Sequence, residues 1–529
     1  MKKKILALCL CLAVTLALSA CGGKDKAADN ADRNDVIVVM TTGSEPETGF
    51  DPIMGWGSGD HVHEPLIQST LVNTDKEMNI VNDLATEYSC SSDGLTWSFT
   101  IRDDVSFTNG EALTAKDVAF TFNKIKEMEG SAVDLSMMKE AVATSDTTVE
   151  LRLSEPNNSL LYTIAVVGIV PENGYDENYA EQPIGSGRYM LEQWDKGQQI
   201  ILTANPDYYG DAPKMEKVTI LFMDDDAALA AAKSGKADIV YTSATYSNVE
   251  VDGYRLLAFD SVDSRGISFP CIPAGETKAD GDNEYAAGND VTSDIDLRRA
   301  ISYGVDREAM AQNVLNGYGT PAYSVCDGMP WASDEIAVET DVEKAKQILA
   351  DGGWKDTDND GILEKDGLKA AFDLYYSAGD DTRQSLSIEF ANQMKELGIE
   401  VNVIGESWDV IYTHEFSDAI LWGWGSNSPS ELYNLLYSTA WGNYACYNDE
   451  EVDKLLDEAI SSRDIENGYQ GFRKAMELVS TEGACTWVWL DNIDHLYFAA
   501  DGLNVAAQKL HPHGHGWSLV NNVDQWTWE

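Results

Sequence analysis

Basic residues are scarce in this chain. Lysine and arginine number 37 against 89 aspartates and glutamates, and the formal net charge is −52. Nucleic-acid binding rests on Lys and Arg contacts with phosphates, so that class of function is excluded. The acidic excess is spread along the chain and reads as solubility; attraction of cations is the alternative. Enzyme motifs are missing too. There is no HExxH, no GxSxG and no Walker loop. His414 and His495 stand alone in the sequence, without the partners that a metalloenzyme's open metal position and placed acid or base would require. Cysteine is thin. Beyond Cys9, Cys11 and Cys21, only Cys90, Cys271, Cys326, Cys446 and Cys485 remain, widely spaced and without a CxxC. That excludes a zinc ribbon and a disulfide framework, and leaves them as small buried apolar residues. The one long apolar run, Ile5 to Leu18, falls short of the roughly 20 residues that span a bilayer.

What is present begins at that run. Lys2, Lys3 and Lys4 precede it, and Leu18-Ser19-Ala20-Cys21 follows it. A basic start, a short apolar stretch and small residues describe a secretory signal peptide over 1–20. The site resembles a bacterial lipobox, which implies Cys21 as the lipidated first residue. Several acyl chains, at roughly 0.8 kcal/mol per buried CH₂, would hold it on a membrane. Residues 21–35 then form the lipidated end and a small, polar tether. The expected location is the extracytoplasmic face of the bacterial cell membrane, lipid-anchored.

About 500 further residues are too many for one core, so two or three domains are expected. Asp35 to Met40 and Lys217 to Met223 read as buried strands. Leu386, Phe390, Met394 and Leu397 mark one helix face, with Gly398 as its stop and Ile399 to Ile404 as a following strand. Val452, Leu455, Leu456, Ala459 and Ile460 mark a second helix, with Asn448 as its cap. Strand–helix alternation indicates α/β domains. Residues 90–125 and 146–154 read instead as antiparallel strands.

Several blocks are familiar. VSFTNGEALTAKDVAFTFN (105–123), IGSGRYMLEQWDKGQQIIL (184–202), NPDYYGDAPKMEKVTI (205–220) and LRRAISYGVDREAM (297–310) resemble, in order, segments of the bacterial extracellular solute-binding proteins of the oligopeptide, dipeptide and nickel group. ELGIEVNV and ILWGWGS add two more. The resemblance runs from about residue 36 to the C-terminus. It implies a periplasmic-binding-protein-like clam of two α/β lobes with an inserted β-rich subdomain. Domain I would comprise 36–72, 184–262 and 497–529, the insert 73–183, and domain II 263–496. It also implies a monomeric receptor of an ABC importer that closes on its solute and delivers it to a membrane permease.

Fold alone does not choose the cargo. Five of seven histidines fall in two clusters, His61 and His63 near one end and His511, His513 and His515 near the other. Imidazole is a common transition-metal ligand. The implied architecture puts both clusters in one lobe, where they would complete a nickel chelate carried as cargo, with no resident cofactor required. Histidine-rich surface loops are the alternative. Peptide-binding relatives carry an acidic residue before proline after the GWG block. Here Ser428 stands there, which weakens the peptide reading, while nearby Glu431 would compensate. Arg383 is the candidate grip for a cargo carboxylate, or else a local partner of Asp380 or Asp381; Arg265 is a second candidate. Trp56, Trp422 and Trp424 would wall the pocket, or are core aromatics. Finally, Asp356, Asp358, Asp360 and Glu364 resemble half of a calcium loop, but position twelve is Gly367, so a plain Asp/Gly turn is the default against structural calcium.

Overall fold

The computed structural model describes residues 33–59, 62–281, 283–514 and 516–529. Two mixed sheets organise them. The first has seven strands, in the order Tyr254–Phe259, His495–Ala500, Ile239–Thr242, Asp35–Thr41, Lys217–Met223, Gln199–Ala204 and Tyr189–Asp195. Asp35–Thr41 lies in its middle, parallel to both neighbours. A central parallel strand is covered on both faces, which explains its unbroken apolar run. Val38, Val39 and Met40 are fully buried.

The second sheet has six strands, in the order Gly319–Pro321, Trp487–Ile493, Ser264–Ser268, Ala419–Trp424, Ala371–Ser377 and Glu400–Glu406. The helix Asp381–Glu396 packs on it through Leu386, Phe390 and Met394, all fully buried at every fourth position. Burial stabilises each such side chain by about 1.5–3 kcal/mol. Gly398 ends this segment at φ 77°, a left-handed backbone that favours glycine. The chain crosses between sheets twice, after Phe259 and after Ile493.

A four-stranded antiparallel sheet, in the order Ala85–Cys90, Thr96–Ile101, Thr148–Leu153 and Met138–Ala143, forms the inserted unit. One expectation fails there. Residues 90–125 are not all strand: Ala115–Glu127 is a helix. Its start was encoded, since Thr114 and Asp117 form a reciprocal cap in which the Thr114 N–H donates to Asp117 Oδ2 at 2.8 Å. A second correction concerns the helix Glu450–Ser461, which is capped by Asp449 rather than Asn448. Asn158 ties the insert to the six-stranded lobe, with Nδ2 donating to Ala459 O at 2.7 Å and Ser462 O at 3.0 Å.

Candidate functional site

The loops that leave the C-terminal ends of the central strands face one another across a cleft of about 930 Å³. The seven-stranded lobe contributes Thr41–Gly43, Asp224–Asp226 and Ser243–Tyr246; the six-stranded lobe contributes Gly379–Arg383 and Trp408. Open α/β sheets place ligand sites at such strand ends. Arg265, Asp494 and His513 close the cleft along the crossings.

Arg265 and Arg383, both named from sequence, meet here. Arg265 is fixed from behind by Asp263, a fully buried carboxylate at the crossing. His513 Nδ1 lies 2.5 Å from the same carboxylate and His495 Nε2 lies 3.4 Å from it. Burial alone would raise the Asp263 carboxyl; Arg265, His513 and His495 outweigh it and hold it well below the usual carboxylate range. Arg383 follows the Asp380 cap of its helix and donates from Nη1 to Asp380 Oδ2 at 2.5 Å. The Nε of each arginine is buried without a partner. Burial and the neighbouring Arg265 charge both pull the Arg383 guanidinium down. Two buried cations side by side, each with a donor unmet, favour an anion.

Asp263 and His495 were invisible as site residues. The signal for Asp263 is its place two residues before Arg265, immediately ahead of the strand Ser264–Ser268. His495, isolated in sequence, is fully buried, and its Nδ1 sits 3.1 Å from His511 Nδ1. His414 instead stacks on Tyr375, centroids 4.4 Å apart, and contacts Asp418 at 2.9 Å.

The histidine clusters divide. His61 and His515 lie outside the described residues. His63 and His511 line a second cavity of about 380 Å³, together with Asn73, Asn82, Asn427 and Ser518. Yet His63 is buried against Trp56 and Trp517, its Nδ1 2.9 Å from Glu64 O. His511 has both ring nitrogens placed, against His495 and, at 3.3 Å, Gln508 Oε1. Burial and His495 pull it well below the ordinary imidazole range, so it is neutral. His513 turns to the other side, into the interlobe cleft. Of the described cluster histidines, His63 and His511 thus share one cavity, and His513 faces the other. His511 and His513, two residues apart in an extended segment, are drawn to different buried partners, His495 and Asp263.

Trp422 is a core residue, 4% exposed, stacked on Tyr444 at 4.3 Å with Nε1 donating to Ser268 Oγ at 2.9 Å. Trp424 lies above it on the same face, beside Trp441, which is 54% exposed. Trp56 is buried against Phe50 and Trp517. None of these three tryptophans lines the cleft; Trp408 does, under Arg383 at 5.5 Å. Ser428 and Glu431 line neither cavity. Ser428 Oγ pairs with Ser430 Oγ at 2.8 Å, and Glu431 accepts from the N–H groups of Gly425 at 3.2 Å and Ser426 at 2.9 Å. Burial pushes the Glu431 carboxyl up to about 7. Glu431 thus braces the loop.

The acidic loop brings ligand oxygens of Asp356, Asp358, Asp360 and Glu364 within 4.8 Å of one another. Most of those oxygens serve the turn itself, while Glu364 Oε1 is buried without a partner. Asp356 accepts from Asn359 N at 2.7 Å and Gly361 N at 3.1 Å, Glu364 accepts from Thr357 N at 2.8 Å, and Lys369 pairs with Asp360. These contacts are those of an Asp/Gly turn.

Comparison with known proteins fits this geometry. Protein XP55 of Streptomyces lividans is 33% identical over 487 residues, covering 88% of this chain and 85% of that protein. The oligopeptide-binding protein AppA of Bacillus subtilis is 28% identical over 561 residues, 99% of this chain and 98% of its own. The AppA structure, in complex with a nonapeptide, matches with a TM-score of 0.70 and 25% identity, over 94% of this chain and 99% of AppA. NikZ from Campylobacter jejuni, in complex with Ni(L-His), shares the fold with a TM-score of 0.76 and 23% identity, over 94% and 99%. No described helix is long and apolar enough to cross a membrane. Residues 79–445 match the bacterial extracellular solute-binding proteins, family 5 Middle, and the chain belongs to that family of binding proteins, which serve ABC transporters and are not enzymes.

Proposed function

We propose that the cargo is a short peptide or peptide-like solute with a free carboxylate, captured between the lobes and delivered to a membrane permease. One observation carries this reading: Arg265 and Arg383 sit together in the cleft, each with a buried, unmet Nε. A guanidinium fork suits a carboxylate, and charge-assisted bonds are the strong ones. AppA, the relative aligned over almost its whole length, binds oligopeptides. Glu431 braces its loop, so the cargo ammonium is left to the acidic rim, where Asp224, Asp225 and Asp226 face Arg383 across the cleft.

A nickel chelate is the second reading, favoured by His513, whose side chain is 30% exposed within the same cleft. Its carboxylates would use the same arginines. Native mass spectrometry of the protein loaded from rich medium separates the two: a ladder of peptide masses supports the first, while a nickel isotope pattern lost on His513→Ala supports the second. Anchoring through Cys21 belongs to the proposal as well, and Cys21→Ser should move the protein from membrane to medium.

A further inference from the structure

Arg265, Arg383 and His513 come from three distant stretches of chain and converge on one residue. A Cβ added to Gly423 would lie 2.6 Å from Arg383 Nη2, 2.7 Å from Arg265 Nη1 and 2.7 Å from His513 Cε1. Real Cβ atoms do not approach neighbours so closely. Gly423 sits in the strand Ala419–Trp424, directly opposite Arg265 in the antiparallel pair. Cross-strand partners share a face, so the Arg265 side chain folds over a bare backbone. His513 is docked to the same stretch, its N–H donating to Gly425 O at 2.6 Å. The φ of Gly423 is not in the left-handed region, so its backbone does not require glycine. The space above it does.

We infer that Gly423 is a positioning residue for cargo capture: its missing side chain is the floor on which the two guanidiniums and the imidazole settle side by side. Asp263 and Asp380 hold the arginines from behind, and Gly423 sets how near to each other and to the strand they lie. The three atoms nearest such a methyl are all tips of side chains, so the trio is displaced before the sheet. Sites of this kind tolerate about 0.5 Å of misplacement.

The inference rests on the carboxylate reading above, and one experiment keeps the two apart. An equimolar tripeptide mixture is offered as free acids and, separately, as C-terminal amides, with bound peptide measured by calorimetry. The wild type should prefer the acids by about tenfold or more. Gly423→Ala should lose most of that preference, weakening acid binding while leaving amide binding and Tm near their wild-type values. In an Arg383→Ala background, which removes the nearest of the three contacts, the same change should cost clearly less than it does in the wild type. Wild-type discrimination retained in Gly423→Ala, or losses that simply add in the double variant, would overturn the role of Gly423 and leave the carboxylate reading standing. A wild type blind to amidation overturns both. If Gly423→Ala unfolds, the cycle is read in Tm: a loss relieved by Arg383→Ala supports the floor, and an unrelieved loss refutes it.

Discussion

Two clusters of charge invite comparison. The acidic turn at Asp356–Glu364 has three exposed carboxylates, and most of its oxygens bond to their own loop. The cluster around Asp263 is buried and joins the two lobe crossings to the C-terminal segment. The first has an eye-catching sequence motif and little energetic weight. The second has no motif and carries the cleft. Charges in solvent are screened, whereas a buried ion cannot lose its partner cheaply.

Breaking each cluster should expose that difference. Asp263→Ala leaves Arg265 buried beside Arg383 without its counter-ion, and urea denaturation should show a loss of about 3–5 kcal/mol. Because the Asp263 carboxyl is held below its unfolded value, its contribution is present above that value and fades as pH falls through the folded one. Asp491 sharpens the contrast with the opposite sign. It is fully buried, neither carboxyl oxygen has a hydrogen-bond partner, and burial pushes it up to about 8. Folding must therefore take up a proton. Stability should fall by roughly 1.4 kcal/mol per pH unit from about 4 until the group ionises near 8. Asp491→Asn should flatten that slope, gaining about 3 kcal/mol relative to wild type between pH 5 and 7; an unchanged slope would show that Asp491 is not its source. Asn158→Ala, which frees the insert from the carbonyls of Ala459 and Ser462, should cost about 1–2 kcal/mol in the same denaturation assay. Asp358→Asn in the exposed turn should change stability by no more than about 0.5 kcal/mol.

The fold was legible where a pattern is local. The run through Val38 to Met40 announced a central strand, and Leu386, Phe390 and Met394 announced the helix that carries Arg383. The helix Ala115–Glu127 was missed although its Thr114–Asp117 cap was written in the sequence, because the surrounding segments alternate like strands. The site was legible only in part. Arg383 and Arg265 were named, since arginines near strand ends and crossings face a cleft. The histidine clusters divide, because adjacency along the chain says nothing of which buried partner each ring finds: His511 meets His495 while His513 meets Asp263. The place of Ser428 and Glu431 after the GWG block suggests cargo contact, while hydrogen bonds to neighbouring backbone and hydroxyl groups hold them in their own loop.

The central claim is that the paired arginines read a cargo carboxylate. It is tested most directly by calorimetry of a tripeptide mixture, as free acids and as C-terminal amides, on the wild type and on Arg383→Gln. The account predicts a coupling of about 2 kcal/mol between the carboxylate and Arg383, with acid binding weakened and amide binding little changed. Equal losses for acids and amides, or none for either, would contradict it.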